Sequence, residues 1–312
     1  MSHPAAAPVV VAVADEHDAA LRYAAVEAVR DRRPLRVVHV VPPPRGIAGA
    51  GVAGASIVVS LQAMEMIGEA LLKQQHERAV DLVSGAVPVE KALRRGPVVD
   101  VLVEESQVAD HLVVQHRHGP RLGRILTGST AAALAARAPV PVVSVPESWA
   151  GPHAVPHVTV ALGRRDVAGR WDGLVAEALH EAQRRNASLT ILHAWYVPAE
   201  YGEDGLDAAT VNRWHEEARA EVTAAIAPWI RTHPDVDVRV AVPHQRPVDA
   251  IVAASRHSDV LVVGRRRSDG LVHLGSVVRA AIRESQCPVV VLTPASRQTA
   301  PTPVELERAS IP

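Results

Sequence analysis

Phenylalanine is missing from this 312-residue chain, and aromatic residues make up only 3% of it. Hydrophobic residues nevertheless reach 48%, so a core large enough for two domains must be built from Val, Leu, Ile and Ala. Cysteine is nearly missing as well. The lone Cys287 cannot form an internal disulfide or a cysteine-based metal site, which favours a reducing cytoplasm as the compartment.

An excess of charge of either sign is also lacking. The formal net charge is −1 at pH 7, which gives no overall attraction to nucleic acid or anionic lipid, so neither is expected as a partner. The uncharged stretch from Gly46 to Met64 is long enough to cross a bilayer, but it consists mostly of Gly, Ala and Ser. We interpret it as a loop that runs into a buried helix, and we expect no membrane span.

Common catalytic motifs are absent too. The sequence contains no G-x-S-x-G, no Walker A lysine motif and no H-E-x-x-H, which argues against the common enzyme classes. Gly49–Gly54 matches the dinucleotide fingerprint G-x-G-x-x-G, but it is separated from its strand, and no helix is expected to start at its third glycine. We interpret it as a flexible lid. His116 and His118 lack a carboxylate partner, and we predict no metal site there.

What the sequence does contain is one unit repeated twice. The first copy opens with VVVAVAD (Val9–Asp15), continues with an amphipathic helix, and reaches the apolar run LRVVHVVP. The second copy repeats this order from HVTVALG (His157–Gly163) to LTILHAWYVP. The second strand of each copy contains a histidine, His39 or His193, and we interpret both as packed core residues.

Further helices and strands follow in the same order in both copies, including long helices predicted at Leu61–Val83 and Ala208–Ile230. Near-continuous apolar strands that alternate with amphipathic helices indicate parallel sheets covered on both faces. The predicted fold is α/β, with two tandem doubly wound domains of five parallel strands each. The predicted domains are 1–148 and 155–295, and 296–312 is predicted to be a disordered tail.

This ordered set of segments resembles the universal stress protein family in its tandem two-domain form. The likeness covers both halves. It is carried by GPVVDVLVEES before ADHLVV in the first half, and by RPVDAIVAASRHSDVLVVGRRR and GSVVRAAIRESQCPVVVL in the second. The resemblance implies the adenine nucleotide alpha hydrolase-like fold of that family. It also implies that the halves pair through their fifth strands, PVVSV and PVVVL, as an intrachain pseudo-dimer, with a homodimer left open.

Family members that bind ATP have a characteristic loop after the fourth strand: Gly, two residues, Gly, nine residues, Gly, then Ser or Thr. An Asp ends their first strand. In the first half of this chain the loop spacing is kept, but Gln115 and His118 replace the first two glycines. Gly128, Ser129 and Thr130 remain where the next helix is expected to start, a position suited to an anion.

The second-half loop departs from the pattern differently. Gly264 is present, but Arg267 replaces the second glycine, and the interval to Gly275 is two residues shorter. Ser276 still follows Gly275. The arginines, Arg265 among them, would supply side-chain charge in place of backbone N–H groups.

The first strand of each copy lacks the family's aspartate. Ala14 and Gly163 stand at the nearest positions, and Asp15 could replace it only with a register shift of one residue. The candidate nucleotide-binding residues are therefore those that remain in the two loops: Gly264, Arg265, Arg267, Gly275, Ser276, Gly128, Ser129 and Thr130.

The resemblance and the departures from it predict a cytoplasmic, non-catalytic binding or signalling module of the stress response with degenerate ATP-binding loops. The sequence does not identify its protein partner, and it assigns no cofactor beyond ATP as a candidate. Two alternatives stay open. One is a sensor that binds ATP or another adenine nucleotide, with the loop at 264–276 favoured. The other is a slow ATPase, which needs a general base and a metal carboxylate where only Asp269 is at hand.

Overall fold

The computed structural model describes residues 6–15, 18–43, 54–116, 130–163, 171–196, 207–268 and 271–292. Contacts within the chain divide it into two compact units, Met1–Gly151 (unit 1) and Pro152–Pro312 (unit 2). The predicted tail, 296–312, lies outside the described residues.

Unit 1 is built on five strands and four helices. The strands are β1 (Val9–Ala12), β2 (Leu35–Val41), β3 (Val89–Arg95), β4 (His111–His116) and β5 (Val142–Pro146). The helices are α1 (Ala19–Asp31), α2 (Gly54–Val83), α3 (Val98–Glu105) and α4 (Thr130–Arg137), with a 3₁₀ turn at Ser106–Val108. The strand order is β3-β2-β1-β4-β5, and all neighbours are parallel, as predicted.

Unit 2 repeats this arrangement. Its sheet strands are β6 (His157–Ala161), β7 (Ser188–Leu192), β8 (Val238–Ala241), β9 (Val260–Gly264) and β12 (Val289–Leu292). Its helices are α5 (Asp172–Arg185), α6 (Ala208–Thr232), α7 (Pro247–Ser255) and α8 (Ser276–Glu284). The order β12-β9-β6-β7-β8 is again parallel throughout, which confirms the predicted fold class.

A two-stranded antiparallel hairpin follows β9, where the sequence pattern predicted only a loop. It pairs β10 (Arg266–Ser268) with β11 (Leu271–His273). The expectation of a plain loop is therefore wrong, because the chain turns back on itself directly after β9. Asp269 and Gly270 stand between the two strands in the sequence, and Asp-Gly is a pair that favours two-residue hairpin turns. Three-residue strands are too short to show an alternating pattern, so this pair was the only signal.

Aliphatic side chains form the core of each unit. The strands β1, β4 and β5 are almost wholly buried and rich in valine, as expected for parallel strands covered on both faces. Small residues line the buried face of α1, among them Ala20, Ala24 and Ala28. Because these side chains are short, the helix can lie close to the sheet, and the core needs few large aromatic rings.

The two units repeat each other down to single hydrogen bonds. The imidazole Nδ1 of His39 donates to the carbonyl oxygen of Val13 at 2.8 Å, and Nδ1 of His193 pairs with the carbonyl oxygen of Leu162 at 3.2 Å. Both imidazoles are only half-buried, so the interpretation of these histidines as core residues is wrong. Each one instead ties the second strand of its unit to the residue that follows the first strand.

The long helix α2 begins at Gly54, well before the predicted Leu61. The expectation that no helix starts at the third glycine of Gly49–Gly54 is therefore wrong. The residues after Gly54 include no proline, so nothing in them stops the helix from extending toward its N-terminus. The segment still lies far beyond the end of β2 at Val41, unlike a dinucleotide fingerprint, and residues 44–53 are outside the described part of the chain. No described helix has the length and apolar character that a membrane crossing requires.

Candidate functional site

The carboxyl ends of β1 and β4 form the topological switch point of unit 1. In the sheet, β1 lies between β2 and β4. The chain continues from β1 to β2 on one side and later enters β4 on the other side, so the connections that follow β1 and β4 diverge. Ligands of doubly wound sheets bind in the crevice between such diverging connections. The register places Ala12 beside Val114, so the residues after both strands reach the same crevice. The ends of β6 and β9 are the equivalent point in unit 2, where Val160 lies beside Val262.

Gln115 stands in unit 1 where the resemblance places the first loop glycine. Its side-chain Oε1 accepts a hydrogen bond from the backbone N–H of Ala20 at 3.4 Å. Ala20 lies in the first turn of α1, whose N-cap residue Asp18 makes no side-chain capping hydrogen bond. The Asp18 carboxylate instead pairs with Arg22 at 3.1 Å. A side chain from β4 therefore supplies an acceptor that the helix's own N-cap does not.

Gln75 of α2 holds the chain just beyond β1. It is fully buried, and its Nε2 donates to the carbonyl oxygen of Asp15 at 3.1 Å. Ala14, the position nearest to the family's aspartate, is exposed, and Asp15 is half-buried. Two amide side chains of the protein, Gln75 and Gln115, thus bind the backbone around the start of α1.

Of the candidate loop residues in unit 1, only Thr130 belongs to the described part of the chain. It is the first residue of α4, and it is exposed. Gly128 and Ser129 lie outside the described residues, as does His118.

His116 follows Gln115 but points away from solvent. It is buried, and its Nδ1 forms a hydrogen bond with Oγ of Ser144 at 3.0 Å. Over the ranges that the structure describes, no group of three or more His, Cys, Asp or Glu side chains comes together as a metal site.

The candidate residues of unit 2 lie in the hairpin and on either side of it along the chain. Arg266 pairs with His273, which brings the residues before β10 next to the residues after β11. Gly264 ends β9, where it pairs with Leu292, and Gly275 follows β11 by two residues. Arg265 stands between Gly264 and the hairpin and is only 4% exposed, so its guanidinium lies within the protein.

Helix α8 starts directly after Gly275, and no side chain caps its first turn. Gly275 is its N-cap residue, and no side-chain capping hydrogen bond is formed there. Ser276 is the first helical residue and is exposed. Arg267 lies in β10, where its backbone pairs with Val272. The amino end of α8 therefore offers backbone N–H groups without an acceptor from the N-cap side chain.

Trp171 covers the end of β6 in unit 2, and the sequence pattern missed this residue. Its indole Nε1 donates to the carbonyl oxygen of Gly163 at 3.1 Å, and the residue is buried. Its ring lies 5.5 Å from the ring of His193, centroid to centroid, at an interplanar angle of 56°. A tryptophan just before α5, in a chain so poor in aromatic residues, was the one signal of a special role.

The chain is similar to known proteins over nearly its whole length. A family model described as the universal stress protein family matches residues 7–146 and 171–293. A universal stress protein of Mycolicibacterium smegmatis is 28% identical over 283 residues, which cover 89% of this chain and 94% of that protein. Universal stress protein Rv2005c of Mycobacterium tuberculosis is 30% identical over 284 residues, which cover 88% of this chain and 92% of the relative.

Solved structures agree with the sheet topology. The crystal structure of a universal stress protein from Archaeoglobus fulgidus DSM 4304 matches with a TM-score of 0.57 and 18% sequence identity. The match covers 93% of this chain and 97% of that one. At this level of identity, the likeness shows the fold alone.

Proposed function

The chain belongs to the universal stress protein family in its tandem form, and we propose that it acts as a non-catalytic binding or signalling module of the stress response. In this proposal both nucleotide loops are degenerate, and the output of the protein is a contact with a protein partner. A reducing cytoplasm is the proposed compartment, since the lone Cys287 cannot form an internal disulfide. Pairing of the two halves through their fifth strands, and any homodimer, stay predictions.

One observation carries this proposal. At each switch point, a side chain of the protein itself binds the backbone where a ligand would be expected. In unit 1, Gln115 accepts from the N–H of Ala20, and in unit 2, Trp171 donates to the carbonyl oxygen of Gly163. Backbone groups that already have a partner inside the protein gain little from a ligand, because a new hydrogen bond only replaces an existing one.

The chemistry of the groups in the two crevices also supports a binding role. Unit 1 presents the amides of Gln75 and Gln115, and unit 2 presents the indole of Trp171 and the buried guanidinium of Arg265. Amides, indoles and guanidinium groups orient ligands or partners without acting as general bases at neutral pH, whereas the imidazoles of His39 and His193, which bind the residues after β1 and β6, are groups that could. Hydrolysis of a nucleotide would also need a carboxylate that holds a metal ion.

A second candidate function is a nucleotide sensor that uses unit 2 alone. The start of α8 favours it, because Gly275 is the N-cap residue there and no side chain caps the helix. Backbone N–H groups at a helix start, with a glycine that lets a ligand come close, are suited to phosphate oxygens. Arg267 replaces the family's second glycine in this loop, and its guanidinium would add charge in place of backbone N–H groups.

Bound nucleotide separates these candidates. The full chain is purified without added nucleotide and denatured, and the supernatant is analysed for ATP, ADP and AMP. The degenerate-loop proposal expects none, and it expects millimolar ATP to leave the melting temperature unchanged. Bound nucleotide, or a rise of the melting temperature with ATP, would overturn it in favour of the sensor. Steady release of phosphate from added ATP would instead indicate the slow ATPase.

Matched valine variants locate the nucleotide if any is found. Gly275→Val should crowd the start of α8 and abolish binding in unit 2, while Gly128→Val, the corresponding change in unit 1, should leave that binding intact. If Gly275→Val binds nucleotide as the wild type does, the site is not at α8.

A further inference from the structure

We infer that His157 makes the start of β6 in unit 2 a pH-sensitive switch. Its neutral imidazole completes a chain of hydrogen bonds that joins β6 to β7 and to α7, and protonation of the ring weakens this chain. His157 lies at the amino end of β6, whereas the candidate nucleotide loop of unit 2 follows the carboxyl end of β9. The switch is therefore separate from the proposed function, and its test needs no nucleotide.

Four side chains form this chain of hydrogen bonds. Oγ of Ser188, the first residue of β7, lies 2.8 Å from Nδ1 of His157, and Nε2 of the same ring lies 3.4 Å from Oγ1 of Thr159. Oγ1 of Thr159 lies 2.8 Å from Oγ of Ser258, which donates to the carbonyl oxygen of Ala254 in α7 at 2.9 Å. Thr159 and Ser258 are buried, so water does not compete for their hydroxyl groups.

The direction of each hydrogen bond follows from the end of the chain at Ala254. A carbonyl oxygen only accepts, so the single hydroxyl hydrogen of Ser258 points to Ala254, and Thr159 must donate to Ser258. Oγ1 of Thr159 then accepts from Nε2 of His157, which therefore carries the hydrogen of the neutral ring. Nδ1 of this ring has a lone pair, and it accepts the hydroxyl hydrogen of Ser188.

Protonation of His157 disturbs the hydrogen bond with Ser188. A protonated ring has hydrogen on both nitrogens and can only donate. The hydroxyl hydrogen of Ser188 then faces a donor, so the hydroxyl has to turn it away from the ring and accept instead. The ring is also half-buried, and a full charge there costs free energy because part of its hydration is lost.

Burial is the largest influence on the pKa of His157, and it lowers this pKa below the ordinary value of 6.5. Charged groups on the neighbouring elements act in both directions. Arg239 of β8 and the imidazole of His153 lower this pKa further, whereas the carboxylates of Asp259 and Asp237 raise it without offsetting the burial. Because the unfolded chain binds the proton at a higher pH than the folded one, the free energy of unfolding should fall as the pH drops below 6.5.

The backbone where the chain enters β6 is the part that should respond. The buried carboxylate of Asp259 accepts from the backbone N–H of His157 at 2.6 Å and from that of His153 at 2.5 Å. Its Oδ1 also pairs with Nδ1 of His153 at 3.1 Å. His157 is thus held through both its backbone and its ring, so weaker ring contacts should appear as faster hydrogen exchange in residues 153–157.

Unit 1 shows that the fold does not require this chain of hydrogen bonds. None of the four equivalent positions in unit 1 has a polar side chain. The strand registers make Pro8, Pro34, Val10 and Ala109 the counterparts of His157, Ser188, Thr159 and Ser258, in that order. Because the same parallel sheet forms without them, the polar side chains are an addition in unit 2, and unit 1 has no ring to protonate at this place.

An NMR titration of the full chain measures the pKa of His157 directly. The ring resonance is assigned by its loss in His157→Gln. We expect a pKa below 6.5 in the wild type. A pKa of 6.5 or more would overturn the inference, because the folded protein would then bind the proton as readily as the unfolded chain.

Hydrogen exchange at residues 153–157, corrected for the intrinsic effect of pH, tests whether this proton opens the start of β6. Between pH 7.5 and pH 5.5 the protection of the wild type should fall, by at most about tenfold for each pH unit, because one proton is bound. His157→Gln keeps a donor and an acceptor but cannot be protonated, so its protection should stay constant. His180→Gln, at an exposed position of α5, is the matched control and should respond as the wild type does. Constant protection in the wild type, or an equal fall in His157→Gln, would contradict the switch.

A second pair of variants keeps the test independent of the folding of His157→Gln. Ser188→Asp places a carboxylate next to Nδ1 and should favour the protonated ring, so the loss of protection in acid should disappear. Ser188→Asn is the neutral control, and it should still lose protection as the pH falls. Loss of protection in Ser188→Asp equal to that in Ser188→Asn would mean that another group senses the pH, and the inference would fail.

Discussion

Gly68 of α2 packs directly against the imidazole of His39 in β2. A Cβ atom at residue 68 would lie 3.0 Å from Cδ2 of His39 and 3.0 Å from Cγ2 of Val41. The imidazole cannot move away freely, because its Nδ1 donates to the carbonyl oxygen of Val13 at 2.8 Å. The absence of a side chain at residue 68 therefore sets how closely α2 lies on β2.

Gly68→Ala should destabilise unit 1 despite the better helix propensity of alanine. Alanine gains about 1 kcal/mol in a helix interior, but the overpacking against His39 and Val41 costs about 1–3 kcal/mol. We expect a net loss of about 1 kcal/mol in the free energy of unfolding, measured by urea denaturation. In a His39→Ala background the same change should cost less, because the imidazole is gone. An equal cost in both backgrounds would show that His39 is not the obstacle.

The sheet of each unit was predictable, because its strands are continuous valine-rich runs that recur in the same order in both halves. The hydrogen bonds of His39 and His193 were less so. Their repetition in the sequence indicated a shared role, but an apolar strand does not reveal which way one polar side chain turns. The hairpin β10–β11 was hidden because its strands have only three residues each, and the two arginines of β10 are typical of a polar loop.

The crevices were the least predictable part of the molecule. The loop spacing identified Gln115 and Gly264 as equivalent positions, which the strand registers support. The contact of Gln115 with Ala20 joins elements far apart in sequence, and local patterns do not report such contacts. The same holds for the hydrogen bond between Trp171 and Gly163. These two residues are separated by residues 164–170, and the first copy has a shorter segment at this place.

Trp149 anchors the chain that follows β5 onto α1, and we expect its removal to destabilise unit 1. Its ring meets Tyr23 edge-on at 5.4 Å between centroids and lies 5.8 Å from the guanidinium carbon of Arg22. Trp149 is 8% exposed, so Trp149→Ala should cost about 3 kcal/mol. Arg22→Met removes the cation, together with its hydrogen bond to the carbonyl oxygen of Trp149 and its ion pair with Asp18, but keeps the ring packing, and it should cost about 1 kcal/mol. Equal losses in urea denaturation would mean that the packing of the ring adds little beyond its contact with Arg22.

Cys287 should be unreactive in the folded protein. Burial, with a smaller contribution from the carboxylate of Asp259, raises the pKa of its thiol to about 12. Since only the thiolate reacts quickly, Ellman's reagent at about pH 8 should release colour slowly until denaturant is added. Gln286→Cys places a second thiol at an exposed neighbouring position, and this thiol should react at once. Rapid reaction of the wild type would show that the strand start at Cys287 opens readily.

Glu181 is buried on α5 and forms ion pairs with Arg184 and Arg185, one helical turn later. We expect its ionisation to make the free energy of unfolding depend on pH in the acid range. Burial alone would raise the pKa of Glu181, but Arg185 and Arg184 together lower it to about 2, below its ordinary value of 4.5. The carboxylate therefore stabilises the folded protein fully above about pH 4.5, and this contribution is lost as the pH falls toward 2.

Glu181→Gln tests this linkage. At pH 7 the variant should lose about 3 kcal/mol in the free energy of unfolding, because two arginines keep their charge beside a neutral amide. Between pH 4.5 and about 2 the difference from the wild type should shrink, since the wild-type carboxylate becomes protonated in that window. Other acids with lowered pKa values, such as Glu105, are present in both proteins and cancel in the difference. Glu221→Gln, at an exposed position of α6, is the matched control for the loss of one carboxylate. If the difference in the free energy of unfolding between Glu181→Gln and the wild type stayed constant down to about pH 2, the pKa of Glu181 would be the same in the folded and unfolded states.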